Sequence, residues 1–350
     1  MAYTTIDDPS AYFQNVLWTG DGSAGNAVTF DGNSDMQPDF VWSKRRDVGY
    51  GHVLKDTSRG GTSNNDVHLV SNTTAGDSTY TAYRMDFNSD GFTLDGSGDS
   101  GFQANGTSMV SWSWKANGGT TSTNTDGSTN TTVQANTDAG FSIVTFTTDG
   151  GNETYGHGLG VKPDVVLVKS RSGAGTWIFT TDVIDGSVDY LILNATNAAA
   201  DLSYGAFTSS TFQYNDNNAV TQVAYCFAEK QGYSKFGKYV GNGNVNGPFV
   251  YTGFQPAWIL LKRTDSTSGG NWHIIDNKRS ASGGANVNVY TLFPNLDAAE
   301  STGEAASTYG VDFLSNGFKI RASHSTRNAS GGSYIYMAFA ENPFTTSTGI

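Results

Sequence analysis

The chain has 350 residues, of which 15% are charged, and a formal net charge of −12. This acidity argues against a phosphate-backbone binder, which works through basic patches, and the tightest basic cluster, Lys44-Arg45-Arg46, is answered at once by Asp47. Aromatic residues at 13% exclude a disordered chain, and together with 43 glycines they describe many short strands joined by polar turns.

The first nine residues, Met1 to Pro9, have neither the basic region nor the apolar core of a secretory signal. No apolar stretch is long enough to cross a membrane as a helix. Cys226 is the single cysteine, so no intramolecular disulfide forms. Synthesis and folding in a cytoplasm are expected. Residues 1–11 read as an N-terminal arm with no part in a core, free to dock elsewhere.

Beyond the arm, one phrase recurs: a proline, an apolar run, and a lysine six residues later. It stands as Pro38 to Lys44, Pro163 to Lys169 and Pro256 to Lys262. Repetition on this scale predicts three copies of one unit, with the strands that hold Phe40, Val165 and Ile259 equivalent. Each copy opens on an aromatic-rich strand, near Phe13 to Trp18, Phe141 to Phe146 and Phe236 to Val240. A shorter strand with an acidic end follows the lysine: His52 to Asp56, Trp177 to Asp182 and Trp272 to Asp276, the middle copy one residue longer, as a bulge would allow. Next comes a hairpin, Phe87-Asn88-Ser89-Asp90-Gly91-Phe92, matched by Phe313 to Phe318. Its Asp-Gly and Asn-Gly pairs are tight-turn signals. The middle copy, Phe207 to Phe212, keeps both phenylalanines and loses the glycine.

Each copy closes on a strand of strict alternation, with Val110, Trp112 and Trp114, then Val223, Tyr225 and Phe227, then Ile335, Met337 and Phe339 on one face. On the other face Ser113, Cys226 and Ala338 share a position, a small-residue packing slot rather than a catalytic thiol. The fold class expected is all-β: three tandem antiparallel β-sandwich modules of jelly-roll or concanavalin-like type. Repeat 1 spans residues 12–117, a Gly/Ser/Thr/Asn linker 118–138, repeat 2 139–231 and repeat 3 232–350. The long linker and the short junction near Lys230 to Ser234 predict one mobile module beside a rigid pair.

Signals for chemistry are sparse. The five histidines, His52, His68, His157, His273 and His324, show no metal-ligand spacing, and His52 and His273 align with Trp272 and Val53 of other copies. Asp31 to Asp35 begins like a calcium loop, but Met36 stands where glycine is needed and Trp42 where the closing glutamate is needed. No pair of carboxylates marks a glycosidase, so no catalytic residue, metal or cofactor is assigned. The lysines Lys44, Lys169 and Lys262 are expected to end buried strands and reach their ammonium groups out to solvent. Tyr50, Tyr80 and Tyr83, in polar loop segments, are the ligand-binding candidates.

The opening Met1 to Gln14, the stretch Val223 to Gly237 and the closing Tyr334 to Phe344 resemble virion-associated proteins of marine bacteriophages, cyanophages among them. The modules are similar, more loosely, to concanavalin- or SPRY-like sandwiches. The resemblance implies a non-enzymatic virion structural protein: a tail fibre or receptor-binding component contacting the host surface, or alternatively a capsid decoration or head-fibre protein. A polysaccharide-degrading tailspike is disfavoured by the missing carboxylate signal. The expected partners are other virion proteins of tail or capsid, a host surface glycan or protein, and further copies in a homo-oligomer. Nucleic acid and membrane insertion are not expected.

Overall fold

The computed structural model describes residues 4–60, 67–96, 101–216, 218–267, 270–279, 286–302 and 305–342. Met1 to Tyr3 of the arm and residues 343–350 of the third repeat lie outside this range. The chain is an all-β fold built from antiparallel sheets.

Each repeat contributes one principal sheet in which the closing strand lies between the opening strand and the proline-to-lysine strand. Ser108–Trp114 pairs with Phe13–Thr19 and Phe40–Arg45; Thr221–Phe227 pairs with Phe141–Thr147 and Val165–Ser170; Ser333–Phe339 pairs with Ser234–Val240 and Trp258–Arg263. Register makes the copies equivalent residue by residue. Phe40 lies opposite Trp114, Val165 opposite Phe227 and Trp258 opposite Phe339. Trp258, then, and not Ile259, holds the place of Phe40 within equivalent strands. The middle copy has no bulge: Asp56, Thr181 and Asp276 occupy one register position, and Asp182 falls just beyond it.

Alternation gives each principal sheet two apolar faces. The outer face packs on a small sheet of its own repeat: Val41 and Met109 against Met85 and Phe92, Val166 and Cys226 against Tyr155 and Phe212, Ile259 and Ala338 against Val250 and Phe318. This is the sandwich. The inner faces do something the repeats alone did not announce. Phe40, Trp112 and Trp114, Val165, Tyr225 and Phe227, and Trp258, Met337 and Phe339 all belong to one buried cluster. The inner faces of the three repeats share a single central core.

The same backbone contact closes the ring at each junction. Asp77 N donates to Arg171 O (2.7 Å), Ala199 N to Thr264 O (2.8 Å) and Glu300 N to Arg46 O (2.8 Å), linking repeat 1 to 2, 2 to 3 and 3 back to 1. The expectation of a mobile module beside a rigid pair is therefore corrected, because each repeat buries its inner face only against the other two. Residues 118–138 are not a free linker either. Ser122–Asn124 and Thr131–Asn136 extend the second principal sheet, with Val133 and Gln134 buried. Gln134 accepts from Gly119 N and donates to Thr57 Oγ1 of repeat 1. A threonine-rich tract reads as linker by composition but has the β-branching that suits a strand. The arm also has a core role. Ile6 is buried in the shared cluster, and Thr4 Oγ1 donates to Gln231 O (2.5 Å) at the junction of repeats 2 and 3.

Candidate binding groove

The candidate site arises where the middle repeat departs from its siblings. In repeats 1 and 3 the outer sheet has three strands; in repeat 2 it has two, Glu153–Gly156 and Thr211–Tyr214. Among the described residues the counterpart of Met85–Phe87 is reduced to a single bridge between Phe207 and Phe212. This is the hairpin whose glycine is missing. Val53 of repeat 1 is buried in the cluster that contains Met85 and Phe87, whereas Ile178, at the same register position, is only half-buried. The uncovered face becomes the floor of an open groove of about 790 Å³.

Ile178, Thr180 and Tyr190 form that floor, and Tyr204, Tyr214 and Asp216 stand on its walls. The polar groups are held in place by their own hydrogen bonds. Asp216 accepts from Asn218 N (3.2 Å) and Gln222 Nε2 (3.2 Å), and Tyr204 Oη donates to Asn215 O at 3.5 Å. Burial raises the pKa of the Tyr204 and Tyr214 phenols, with Asp216 adding to the shift, so both stay protonated donors. Aromatic faces interleaved with fixed amide, hydroxyl and carboxylate groups suit a ligand that alternates apolar ring faces with hydroxyls.

Two carboxyl groups raised towards neutrality lie outside the groove's lining, Asp189 and Glu341, the latter raised by burial to about 7. Burial, with Asp185 beside it, raises Asp189 to about 6. Asp189 precedes Tyr190 in the strand and therefore projects from the opposite face of the sheet. The carboxylates that line the groove are Asp201 and Asp216.

The tyrosines singled out in the sequence lie in repeat 1, where two of them pack together. Tyr80 and Tyr83 meet edge to face at 5.0 Å, and Tyr83 also packs on His68 (4.9 Å) and Phe102 (5.1 Å). Tyr50 instead lies under the Arg45 guanidinium at 5.3 Å. The groove tyrosines went unnoticed in the sequence because nothing in their spacing distinguishes them from strand residues. The lost hairpin glycine was the available signal.

The repeated lysines contradict the expectation that they reach solvent: Lys44, Lys169 and Lys262 are at most 1% exposed. Each ammonium turns back on the backbone, Lys44 to Arg45 O (2.5 Å), Lys169 to Ser170 O (3.1 Å) and Lys262 to Arg263 O (2.6 Å). Burial lowers each to about 8. They share the inner-face alternation of Phe40 and Trp42, so they point toward neighbouring repeats rather than outward; Lys169 also bonds Thr74 O of repeat 1 (3.0 Å). His52 and His273 are likewise buried, and burial holds both well below the usual imidazole pKa. His52 accepts from Trp42 Nε1 at 3.0 Å. The free thiol of Cys226 is buried, and burial raises its pKa, as a packing residue requires.

No curated protein and no solved structure matches the chain. One family does, described as a domain of unknown function (DUF7483), over residues 8–343. The match runs through all three repeats and the last four residues of the arm. The chain belongs to the DUF7483 family.

Proposed function

We propose that this protein is a non-enzymatic recognition component of a virion, and that the groove of its second repeat holds a polyhydroxylated ligand of the host-surface glycan class. The groove carries the reading: it is a preformed, open cleft with tyrosines on floor and wall and an acceptor, Asp216, fixed by Asn218 and Gln222. Binding residues concentrate on loops held by a rigid scaffold, and the closed three-repeat body supplies one. The virion assignment rests on the resemblance of Met1 to Gln14, Val223 to Gly237 and Tyr334 to Phe344 to phage virion proteins. Receptor binding at the tail is the placement a surface groove favours. Capsid decoration is the second reading, supported by Phe249 and Tyr251, 45% and 58% exposed on an outermost strand where another virion protein could add.

The test is binding of the purified protein to an array of bacterial surface glycans. Tyr190→Ala and Asp216→Asn, made separately, are each expected to weaken the captured glycan about tenfold, the equivalent of roughly 1.4 kcal/mol. Tyr80→Ser in repeat 1 should leave it unchanged. Wild-type protein that captures no glycan, or groove variants that bind as well as wild type, would reject the groove.

A further inference from the structure

At the seam between the second and third repeats, the structure places carboxylates where the fold has no use for them. Asp189 stands directly opposite Asp201 across an antiparallel strand pair, with Asp185 just before them in the chain. One oxygen from each of the three lies within 4.8 Å of the others. Like charges directly opposed on a sheet are destabilising. The equivalent pair in repeat 1 is Val67 opposite Thr79, so the sandwich does not require acids there.

The decisive group is Asp189. It is 3% exposed, and its buried Oδ2 meets no N–H or hydroxyl donor, its side-chain neighbour being the like-charged Asp201 carboxylate. Buried polar atoms are nearly always satisfied, and an orphan calls for an explanation such as a bound ion. None of the three acids takes part in a salt bridge among the described residues. The nearby cation, Lys238 of repeat 3, donates instead to Ile184 O at 2.7 Å. Asp185 Oδ1 accepts from Ser187 N (2.9 Å) and Ser187 Oγ (2.6 Å), which pins that carboxylate on its turn.

We propose that Asp185, Asp189 and Asp201 bind a hard divalent cation of the calcium class at this seam. The donor set is all oxygen, without the imidazole or thiolate that would select zinc or copper. Three carboxylates offer up to six oxygens, and water completes the shell of an ion that accepts irregular geometry. The ion neutralises the opposed pair and gives the orphaned oxygen a partner. Two of the acids are exposed and one is buried, so a weak site is expected, with Kd of about 0.1–1 mM as in extracellular calcium modules.

The experiment is isothermal titration of CaCl2 into EDTA-stripped, full-length protein, with thermal melts at matched ionic strength and MgCl2 in parallel. One saturable calcium site per chain is expected, along with a higher Tm in calcium than in magnesium. Asp201→Asn, a change at an exposed residue that keeps the strand pair, should weaken calcium at least about tenfold, the cost of one charged ligand in a site of this class. Asp189→Asn should abolish binding, and if that variant fails to fold, Asp201→Asn and Asp185→Asn carry the test. Absence of saturable calcium binding, or equal binding by Asp201→Asn, would overturn the proposal. Tighter binding of magnesium than of calcium would overturn the ion assignment.

Discussion

At five equivalent positions, two of the three junctions around the core carry ion pairs and the third carries uncharged residues, although the acids Asp185, Asp189 and Asp201 lie at the same seam. At the junction of repeats 1 and 2, Asp56 accepts from Tyr225 Oη (2.7 Å) and Arg59 Nε (2.5 Å), while Asp77 bridges Arg59 and Arg171 at 2.8 Å each. At the junction of repeats 3 and 1, Asp276 accepts from Trp112 Nε1 (2.8 Å) and Arg279 Nε (2.6 Å), while Glu300 bridges Arg279 (2.6 Å) and Arg46 (2.8 Å). The corresponding residues between repeats 2 and 3 are Thr181, Ile184, Met337, Ala199 and Thr264. Ile184 and Ala199 pack on the shared core.

Acid, arginine, donor, bridging acid and outer arginine have thus been exchanged together. The lesson is one of satisfaction. A buried ion set stabilises only when every member is paired, and removing one partner leaves a charge stranded. An apolar set of similar volume serves as well. Intermediate combinations are the costly ones, and neither five-residue set is one.

The largest effect should come from Trp112→Ala, which opens a cavity in the shared core and removes one of the donors to Asp276. A loss of at least about 3–5 kcal/mol is expected, read by urea unfolding. Because the core is common, all three repeats should lose stability together. Retained native stability in repeats 2 and 3, seen by hydrogen exchange, would contradict the shared core.

Breaking one member of an ionic junction comes next. Arg59→Met leaves the buried Asp56 without its guanidinium partner and should cost about 3–5 kcal/mol. Converting that five-residue set to the uncharged one, Asp56→Thr, Arg59→Ile, Tyr225→Met, Asp77→Ala and Arg171→Thr, should bring stability back to within about 1–2 kcal/mol of wild type. A five-fold variant less stable than Arg59→Met would break the comparison, since it would mean that the junctions are not interchangeable.

Much of this architecture was legible in the sequence, and the limits were physical. Period-two alternation located the strands and their faces, and the slot shared by Ser113, Cys226 and Ala338 holds in the register. What alternation cannot say is what a face packs against. Trp112, Tyr225 and Met337 read as buried, but their partners are residues of other repeats, 164 positions away for Trp112 and Asp276. Composition misjudged residues 118–138, because a polar strand at a sheet edge has the same residues as a linker. The lysines were misread for a related reason: a charge at a strand end points to water only when no neighbouring repeat lies there. The groove depends on a strand that is lacking, which a single sequence reveals only as the lost glycine between Phe207 and Phe212.

A pH dependence of stability is also expected. Burial lowers Lys44, Lys169 and Lys262 from 10.5 to about 8. Between these values the unfolded chain holds protons that the folded chain has released, so stability rises with pH across that window. The gain ends near pH 10, where unfolded tyrosines ionise while buried ones such as Tyr225 and Tyr233, raised by burial, resist. Lys262→Met should flatten the rise measured by urea unfolding at pH 8 to 10. An unchanged slope would show that this ammonium is solvated.

The account rests on one claim above the others: the three repeats close into a single cooperative body because each buries its inner face against the other two. Differential scanning calorimetry of the intact chain tests it most directly. The account predicts one endotherm whose calorimetric and van't Hoff enthalpies agree. Two or three separable transitions, or a van't Hoff enthalpy near one third of the calorimetric value, would show that the repeats unfold as independent modules and would contradict it.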